Sequence, residues 1–268
     1  MKHKNSHIPT KEIARHQYEV EKLPLIDMAE MWGVIPDYVR RILRKMDIPP
    51  RPLKDMPSRM KPKTKFPSML IDDVQHQVIL GSILGDGHIA DFNRTGDRPH
   101  FSNSFIRIIH SSKQLDYLKF KHQLLYPYAC PIRIFSTRDG IRCGFQTYSH
   151  PYFTELRREW YPSDGWKVIT LDLISSLTSF GLAIWFMDDG TRGVSKGCEF
   201  GFFCTEGFGI DSQPMLMAFL QDQFGIPCSV VSTGFGLKKI RVSKKGMGIL
   251  RDIIRPYLIP SMLYKIGC

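Results

Sequence analysis

Two short apolar stretches of this 268-residue chain each end in an aspartate followed by glycine. They occupy residues 79–87 and 182–190, and their matching aspartates, Asp86 and Asp189, lie 103 positions apart. Each stretch is too short and too interrupted to span a membrane, and each has the composition of a buried helix. A carboxylate at the C-terminal end of a helix adds to the negative end of the helix dipole, at a cost of about 0.3–1 kcal/mol. Two such carboxylates therefore predict a nearby cation, and a divalent metal ion is the natural candidate.

From residue 68 onward the chain reads as two similar halves, 68–170 and 171–268. Each half begins with one of the acidic-glycine helices and continues with the same order of extended and helical segments. We expect extended stretches near 101–111 and 197–205, helices near 113–126 and 211–224, strand pairs at 131–137 with 141–148 and 228–233 with 237–243, and helices near 151–160 and 246–257. A duplication of this kind predicts pseudo-twofold symmetry, which suits a target with twofold character such as duplex DNA.

Basic residues are concentrated towards the start of the chain. The whole sequence has 37 Lys and Arg against 26 Asp and Glu, a net charge of +11, and residues 1–66 alone hold 15 basic and 8 acidic side chains. An excess of this size usually indicates a polyanionic partner, most often nucleic acid. Residues 1–48 are predicted to form a helix-turn-helix module with Gly33 in the turn. Its second helix would present the basic side chains Arg40, Arg41, Arg44 and Lys45, although a helical hairpin with a solvated basic face predicts the same pattern.

The segment 49–67 contains six prolines interleaved with lysine and arginine. Proline blocks helix formation, so we expect an extended linker that either follows a phosphate backbone or is simply solvated. The six cysteines show neither a C-x-x-C pair nor zinc-ligand spacing, and the polar first residues show no secretory signal. We therefore expect reduced thiols and a soluble intracellular protein of the cytoplasm, nucleoid or an organelle matrix, without a membrane partner.

The two motifs resemble those of the LAGLIDADG homing endonucleases, in the branch that carries both motifs in one chain. The segments Trp185–Gly190 and Pro256–Lys265 are also similar to that branch. The resemblance covers about residues 68–268 and implies an α+β fold with a pseudo-twofold duplicated αββαββα arrangement, in which the β-sheets form a DNA-binding saddle. It also implies that the motif helices pack side by side, and that this packing is asymmetric because Ile184 stands where the family often has glycine.

The resemblance further implies a metal-dependent centre for phosphodiester hydrolysis. Asp86 and Asp189 would each bind Mg²⁺ (or Mn²⁺) beside the scissile phosphate of one strand. Lys167 and Lys265, which close the two halves 81 and 76 residues after these aspartates, would lie near the attacking waters. The residues just before the aspartates, Gly85 and Asp188, complete the predicted metal set. For Asp188 the sequence fits equally a residue that supports the metal ligands and a helix-end residue without a role in the site.

The resemblance also implies that the strands lie in the major groove of DNA. Period-two alternation places Arg142 and Gln146 on one face of their strand, and Lys239 and Arg241 on one face of theirs. Arginine can read guanine and glutamine can read adenine, although a solvated polar face predicts the same alternation. The predicted DNA contacts of the sheets are Arg107, Arg133, Arg138, Arg142, Gln146, Lys239 and Arg241.

Two functions are compatible with these features. The first is a site-specific double-strand DNA endonuclease that acts as a monomer at a long, weakly palindromic site. The second is a non-cleaving intron RNA maturase or DNA-binding regulator on the same fold, for which loss of the metal carboxylates would be the simplest mark. Because both aspartates and both closing lysines are present, the sequence favours the endonuclease.

Overall fold

The structure, a computed structural model, describes residues 7–49, 66, 68–90, 103–162, 167–209, 212–233 and 237–268. The described residues belong to two compact units, one N-terminal and one that begins at residue 66. The predicted linker 49–67 lies outside the described residues except for positions 49 and 66. Within the described ranges, no helix is both long and apolar enough to cross a lipid bilayer.

The N-terminal unit consists of short helices around a small core. Helix α1 (Lys11–Arg15) continues into a π-helical turn (His16–Val20), and α2 (Leu25–Trp32) and α3 (Pro36–Lys45) follow. Gly33 ends α2 with a φ of 63°, the left-handed conformation that allows the sharp turn into α3.

Helix α3 has one apolar and one basic side. Val39, Ile42 and Leu43 are buried in the core of the unit, with Met28 and Trp32 of α2. Of the basic residues, Arg40 is half-buried, and the exposed ones are Arg41, Arg44 and Lys45. The helix pair with a basic outer face therefore forms as the sequence predicts, and its role in DNA binding stays a prediction.

The second unit contains two halves with the same element order, αββαββα. The first half is α4 (Asp73–Leu84), β1 (His88–Ala90), β2 (Phe105–Ser111), α5 (Leu115–Leu124), β3 (Arg133–Thr137), β4 (Gly140–Gln146) and α6 (Pro151–Trp160). After α7 (Leu171–Ile174), the second half is α8 (Ser179–Asp189), β5 (Gly190–Ser195), β6 (Cys198–Phe203), α9 (Ser212–Phe224), β7 (Cys228–Ser232), β8 (Lys238–Val242) and α10 (Lys244–Ile254). A 3₁₀ helix at Pro260–Ile266 closes the chain. The α+β class and the duplicated arrangement are confirmed.

Each half contributes a four-stranded antiparallel sheet with equivalent strand order, β1-β2-β4-β3 and β5-β6-β8-β7. One face of each sheet packs on the helices, where Ile108, Phe145, Phe203 and Ile240 are buried. Because side chains alternate along a strand, the neighbours of these residues lie on the opposite face. That opposite face is the one on which the sequence places the DNA contacts.

The motif helices α4 and α8 pack against each other at the centre of this unit. A methyl group at Gly81 would overlap the Ile184 side chain, so the glycine of one helix makes room for the isoleucine of the other. At the opposite end of the pair, Gly181 lies against the side chain of Gln77, which accepts a hydrogen bond from the Thr178 N–H at 2.9 Å. The predicted asymmetric approach is therefore present, and Gly181 is a small residue at the contact that the sequence analysis did not identify.

Candidate functional site

The C-terminal ends of α4 and α8 bring the two motif aspartates into one electrostatic environment. Helix α8 ends at Asp189, whereas α4 ends at Leu84 with Gly85 as its C-cap, and Asp86 follows. Both helices are buried along most of their length, and the two aspartates lie where these buried helices end. The Asp86 side chain is 39% exposed, and Asp189 is half-buried.

Each closing lysine donates hydrogen bonds to the backbone on both sides of one aspartate. Lys167 Nζ donates to the carbonyl oxygens of Gly85 and Gly87 at 3.2 and 2.9 Å, and to that of Ile83 at 2.6 Å. Lys265 Nζ donates to the carbonyl oxygens of Asp188 and Gly190 at 3.1 and 2.7 Å. A cation at this position offsets the negative end of the helix dipole. The cation that the sequence requires at each helix end is therefore supplied, at least in part, by a lysine.

Asp188 is fully buried and its two carboxylate oxygens are occupied. Lys121 Nζ lies 2.7 Å from Oδ1 and 2.9 Å from Oδ2, and the Tyr117 hydroxyl donates to Oδ1 at 2.7 Å. The Asp86 backbone N–H approaches Oδ2 at 3.3 Å. Lys121 and Tyr117 are themselves fully buried in α5. A buried charge is tolerated only when it is paired and hydrogen-bonded, and Asp188 meets both conditions.

His110 of β2 connects the two carboxylates that flank it. Its Nδ1 lies 3.0 Å from Asp86 Oδ2, and its Nε2 lies 3.8 Å from Asp188 Oδ1. These three side chains are close enough to resemble a metal-binding cluster. However, Asp188 already pairs with Lys121, and a metal ion at that carboxylate would displace an ammonium group that no solvent can reach. The cluster is better described as a polar network that supports Asp86.

The two motif aspartates differ in their electrostatics. Burial alone would raise the pKa of Asp86, but the close contact and charge of His110, with the charges of Lys121 and Lys265, bring it below its ordinary value. Burial and the neighbouring charges of Asp86 and Asp188 raise the pKa of Asp189 to about 7. Burial also lowers the pKa of Lys167 to about 8, although the surrounding aspartates oppose that shift. Of the two motif carboxylates, Asp189 therefore has the less compensated negative charge, and it should gain more from a bound cation.

Gly85 allows the end of α4 to approach Asp188. A methyl group at Gly85 would overlap the Asp188 side chain. In the alignment of the two motifs, Asp188 is the counterpart of Gly85, so the paired helix ends present one small residue and one carboxylate at the same level. The predicted metal role of Gly85 concerns its carbonyl oxygen, which here accepts from Lys167.

The outer sheet faces bring most of the predicted DNA contacts together. In the first sheet, Arg107 pairs with Gln146, and Arg133 lies opposite Gly144, two positions from Arg142 on β4. In the second sheet, Arg241 pairs with Phe202, and Lys239 lies two positions before it. The exposed residues of this set are Arg107, Arg133, Arg142 and Arg241, and the half-buried ones are Gln146 and Lys239. Arg138 is exposed in the turn between β3 and β4, beyond the paired strands.

Sequence reasoning did not identify His110, Tyr117 or Lys121. One signal was available, because Tyr117, Leu118, Lys121 and Leu125 follow the helical spacing of an inward-facing stripe. A lysine on such a stripe requires a buried partner. The partner, Asp188, is 67 residues away and only the fold reveals it.

Comparison with known proteins agrees with this architecture. Protein RecA of Mycolicibacterium fallax is 31% identical over 209 residues, which is 74% of this chain and 47% of that protein. Cytochrome b mRNA maturase bI2 of Saccharomyces cerevisiae is 31% identical over 210 residues, 71% of this chain and 46% of that protein. This chain thus spans about half the length of these curated relatives.

A solved structure shares the fold. The homing endonuclease I-WcaI bound to its DNA recognition sequence superimposes with a TM-score of 0.64 over 74% of this chain and 88% of that chain, at 23% identity. Residues 76–250, which include both motif helices and both sheets, match the family model described as the LAGLIDADG DNA endonuclease family. This chain therefore belongs to the LAGLIDADG DNA endonuclease family.

Proposed function

We propose that this chain is a metal-dependent endonuclease that cuts both strands of duplex DNA at a long, weakly palindromic site, and that it acts as a monomer. The observation that carries the proposal is the pair of aspartates at adjacent helix ends, each held by its own lysine, in a unit with two equivalent sheets. Because both halves are in one chain, two centres related by pseudo-twofold symmetry can face the two strands of DNA without a second subunit.

The donor atoms at the helix ends fit a hard divalent cation. Asp86 offers a partly exposed carboxylate, and Asp189 offers one whose pKa is raised by burial and by the negative charges of Asp86 and Asp188. Oxygen ligands of this kind are those that Mg²⁺ and Mn²⁺ prefer. When bound, such an ion supplies Lewis-acid stabilisation and lowers the pKa of coordinated water. We assign Asp86 and Asp189 as the protein ligands and Asp188 as a support for Asp86.

The lysines have two roles in this proposal. Lys167 and Lys265 fix the carbonyl groups beside the aspartates, which sets the direction of each carboxylate. They also keep positive charge beside the place where the phosphate must approach, and a positioned cation there stabilises charge that develops during hydrolysis.

The DNA would lie along the outer faces of the two sheets. The basic side chains there provide phosphate and base contacts, and Arg142 and Gln146 have the chemistry to read bases in the major groove. The N-terminal unit would add contacts through the exposed basic side of α3. Phosphate contacts from both units predict an affinity that falls steeply with salt.

A second candidate function is that of an RNA maturase. It is favoured by one finding, that two of the matched relatives, from Saccharomyces cerevisiae and Debaryomyces hansenii, carry the name cytochrome b mRNA maturase bI2. The basic sheet faces would suit either polyanion, so binding alone does not separate the two functions.

Cleavage of a plasmid library separates them. The full chain is incubated with supercoiled plasmids that carry randomised inserts, in Mg²⁺ and in Ca²⁺, and linear products are recovered and sequenced. We expect linear DNA from a restricted set of inserts with wild type, and none with Asp86→Asn or Asp189→Asn. The control is Asp222→Asn, which changes an exposed carboxylate of α9. Binding of selected duplexes without any cut would refute the endonuclease and favour the maturase or regulator.

A further inference from the structure

Among the described residues, the buried polar network lies beside only one of the two motif aspartates, Asp86. Helix α5 buries Tyr117 and Lys121 at i, i+4 spacing, whereas the equivalent helix α9 buries Leu216 and Leu220 at the same spacing. The motif residue that faces this network is Asp188, and its counterpart in the other motif is Gly85. The fold therefore accepts an apolar pair and a glycine in one half, so a buried lysine–aspartate pair is not required to form this architecture.

His110 shows the same difference between the halves. Asp86 and Asp189 are equivalent, His88 pairs with Arg107, and Thr191 pairs with Phe202, so the sheet registers make His110 equivalent to Thr205. The Thr205 hydroxyl donates its proton to Gln213 Oε1 at 2.6 Å, so this proton is not used for a hydrogen bond to a motif carboxylate. Among the described residues, nothing in the second half reproduces the connection from a buried cation to the motif aspartate.

Beside Asp86, this connection runs through four contacts. Lys121 holds Asp188, the Asp188 carboxylate lies beside both His110 and the Asp86 backbone N–H, and His110 lies against the Asp86 carboxylate. Neither ring nitrogen of His110 has a well-aligned hydrogen bond within the described ranges, so the ring is held by its packing on Tyr117 and by the two carboxylates. If Lys121 were removed, the Asp188 carboxylate would compete with the Asp86 carboxylate for contact with His110. Asp86 would then lose its fixed position.

We propose that Lys121 is a positioning residue for the first cleavage centre alone, so that its loss converts the endonuclease into a nickase that still cuts the strand served by Asp189. This inference rests on the proposed function. A displacement of about 1 Å at a reacting group can reduce a rate by ~100-fold, and we expect this loss on one strand. The other strand should keep its rate within about threefold, because Lys265 still donates to the carbonyl groups of Asp188 and Gly190 on either side of Asp189.

The test measures each strand separately. A supercoiled plasmid with the recognition site gives nicked circles or linear DNA, and a duplex labelled on either strand identifies the strand that is cut. Lys121→Met removes the cation and keeps the length of the side chain. Tyr117→Phe removes one donor to Asp188 with little change in volume and decides the question if Lys121→Met fails to fold. Leu220→Met introduces the same residue at a buried apolar position of α9, and it should cut both strands normally.

A second measurement needs neither metal nor cleavage. The method is NMR in EDTA, and the ring resonances of His110 are identified by their loss in His110→Gln. These resonances should shift in Tyr117→Phe and in Lys121→Met, and they should stay unchanged in Leu220→Met. We expect nicked circles from the same strand in both α5 variants, together with these shifts. Equal slowing of both strands, or no slowing of either, would overturn the inference. If wild type cuts neither strand, the proposed function fails, and unshifted His110 resonances would then refute the network on their own.

Discussion

The two motif aspartates should respond in opposite directions when each is replaced with asparagine. In the metal-free protein, Asp189→Asn should raise the stability and Asp86→Asn should lower it. The pKa of Asp189 is raised to about 7 by burial and by the charges of Asp86 and Asp188. Burial raises the pKa of Asp86, but His110, Lys121 and Lys265 together outweigh burial, so the pKa is lowered. The charged form of Asp189 thus destabilises the folded state, while the charged form of Asp86 stabilises it.

The sign of the pH dependence follows from proton binding. Between about pH 4 and pH 7, Asp189 keeps its proton in the folded state and loses it in the unfolded state, so stability falls as pH rises through this window. A rise of about three pH units corresponds to at most about 4 kcal/mol at 1.36 kcal/mol per unit. Counter-ions and partial exposure reduce this cost, and we expect Asp189→Asn to gain about 1–2 kcal/mol at pH 8 and almost nothing at pH 4. That gain corresponds to a rise in Tm of about 3–6 °C.

The assay is thermal unfolding of the full chain in EDTA at pH 4, 6 and 8. Asp189→Asn should raise the Tm at pH 8, and Asp86→Asn should lower it. Asp222→Asn is the matched control and should change the Tm equally little at each pH. Addition of Mg²⁺ at pH 8 should stabilise wild type more than Asp189→Asn, because the ion then has less charge to neutralise. The electrostatic reasoning would be refuted by a loss of stability in Asp189→Asn at pH 8 that matches the loss in Asp86→Asn.

Three further predictions concern the helix ends and the sheet face. Gly85→Ala should lower the stability by about 1–3 kcal/mol through overlap with the Asp188 carboxylate, and it should abolish cleavage. Gly248→Ala, at a position with open space around it, should lower neither the stability nor the cleavage rate. Urea unfolding measures the stability and plasmid linearisation measures the cleavage. Lys167→Met removes three hydrogen bonds to the end of α4 and should lower the Tm by about 4–8 °C in calorimetry; an unchanged Tm would contradict the role in holding the helix end. Arg142→Ala should weaken DNA binding and reduce the slope of log affinity against log salt by about 1, whereas Lys244→Ala at the start of α10 should change neither in fluorescence anisotropy titrations.

The sequence predicts the elements of the second unit well because their patterns are local. The strand pair at 131–137 and 141–148 appears as β3 and β4, at Arg133–Thr137 and Gly140–Gln146, and the helix at 151–160 has the bounds of α6. The short strands β1 and β5 are not visible in the residue pattern. Strand β1 has only three residues, and β5 contains two glycines, which strands disfavour, so the pairing partner rather than the local sequence makes them extended.

The candidate site is less predictable because its connections are non-local. Repeat symmetry identifies Asp86, Asp189 and the two closing lysines, but it treats the halves as equivalent. The contacts of Asp188 that make the centres different join residues 67 to 102 positions apart in the chain, and they form only after the two halves pack. The sequence also predicts a metal as the cation at the helix ends, whereas the structure shows that lysine ammonium groups already contact those ends.

The placement of the lysines is compatible with the proposed metal ion. Lys167 and Lys265 donate to backbone carbonyls, and Lys121 is used by Asp188, so none of the three neutralises Asp189 by direct contact among the described residues. Asp86 has His110 as a partner, whereas among the described residues Asp189 has only more distant cations, and burial together with the charges of Asp86 and Asp188 raises its pKa to about 7. The fold therefore compensates the helix dipoles and leaves one carboxylate uncompensated. A divalent ion should bind first where that carboxylate lies, and binding should weaken as the pH falls below about 7 because protons compete for the same oxygens. Calorimetric titration of Mg²⁺ into wild type at pH 6 and pH 8 measures this difference, and an affinity independent of pH would show that Asp189 is not the first ligand.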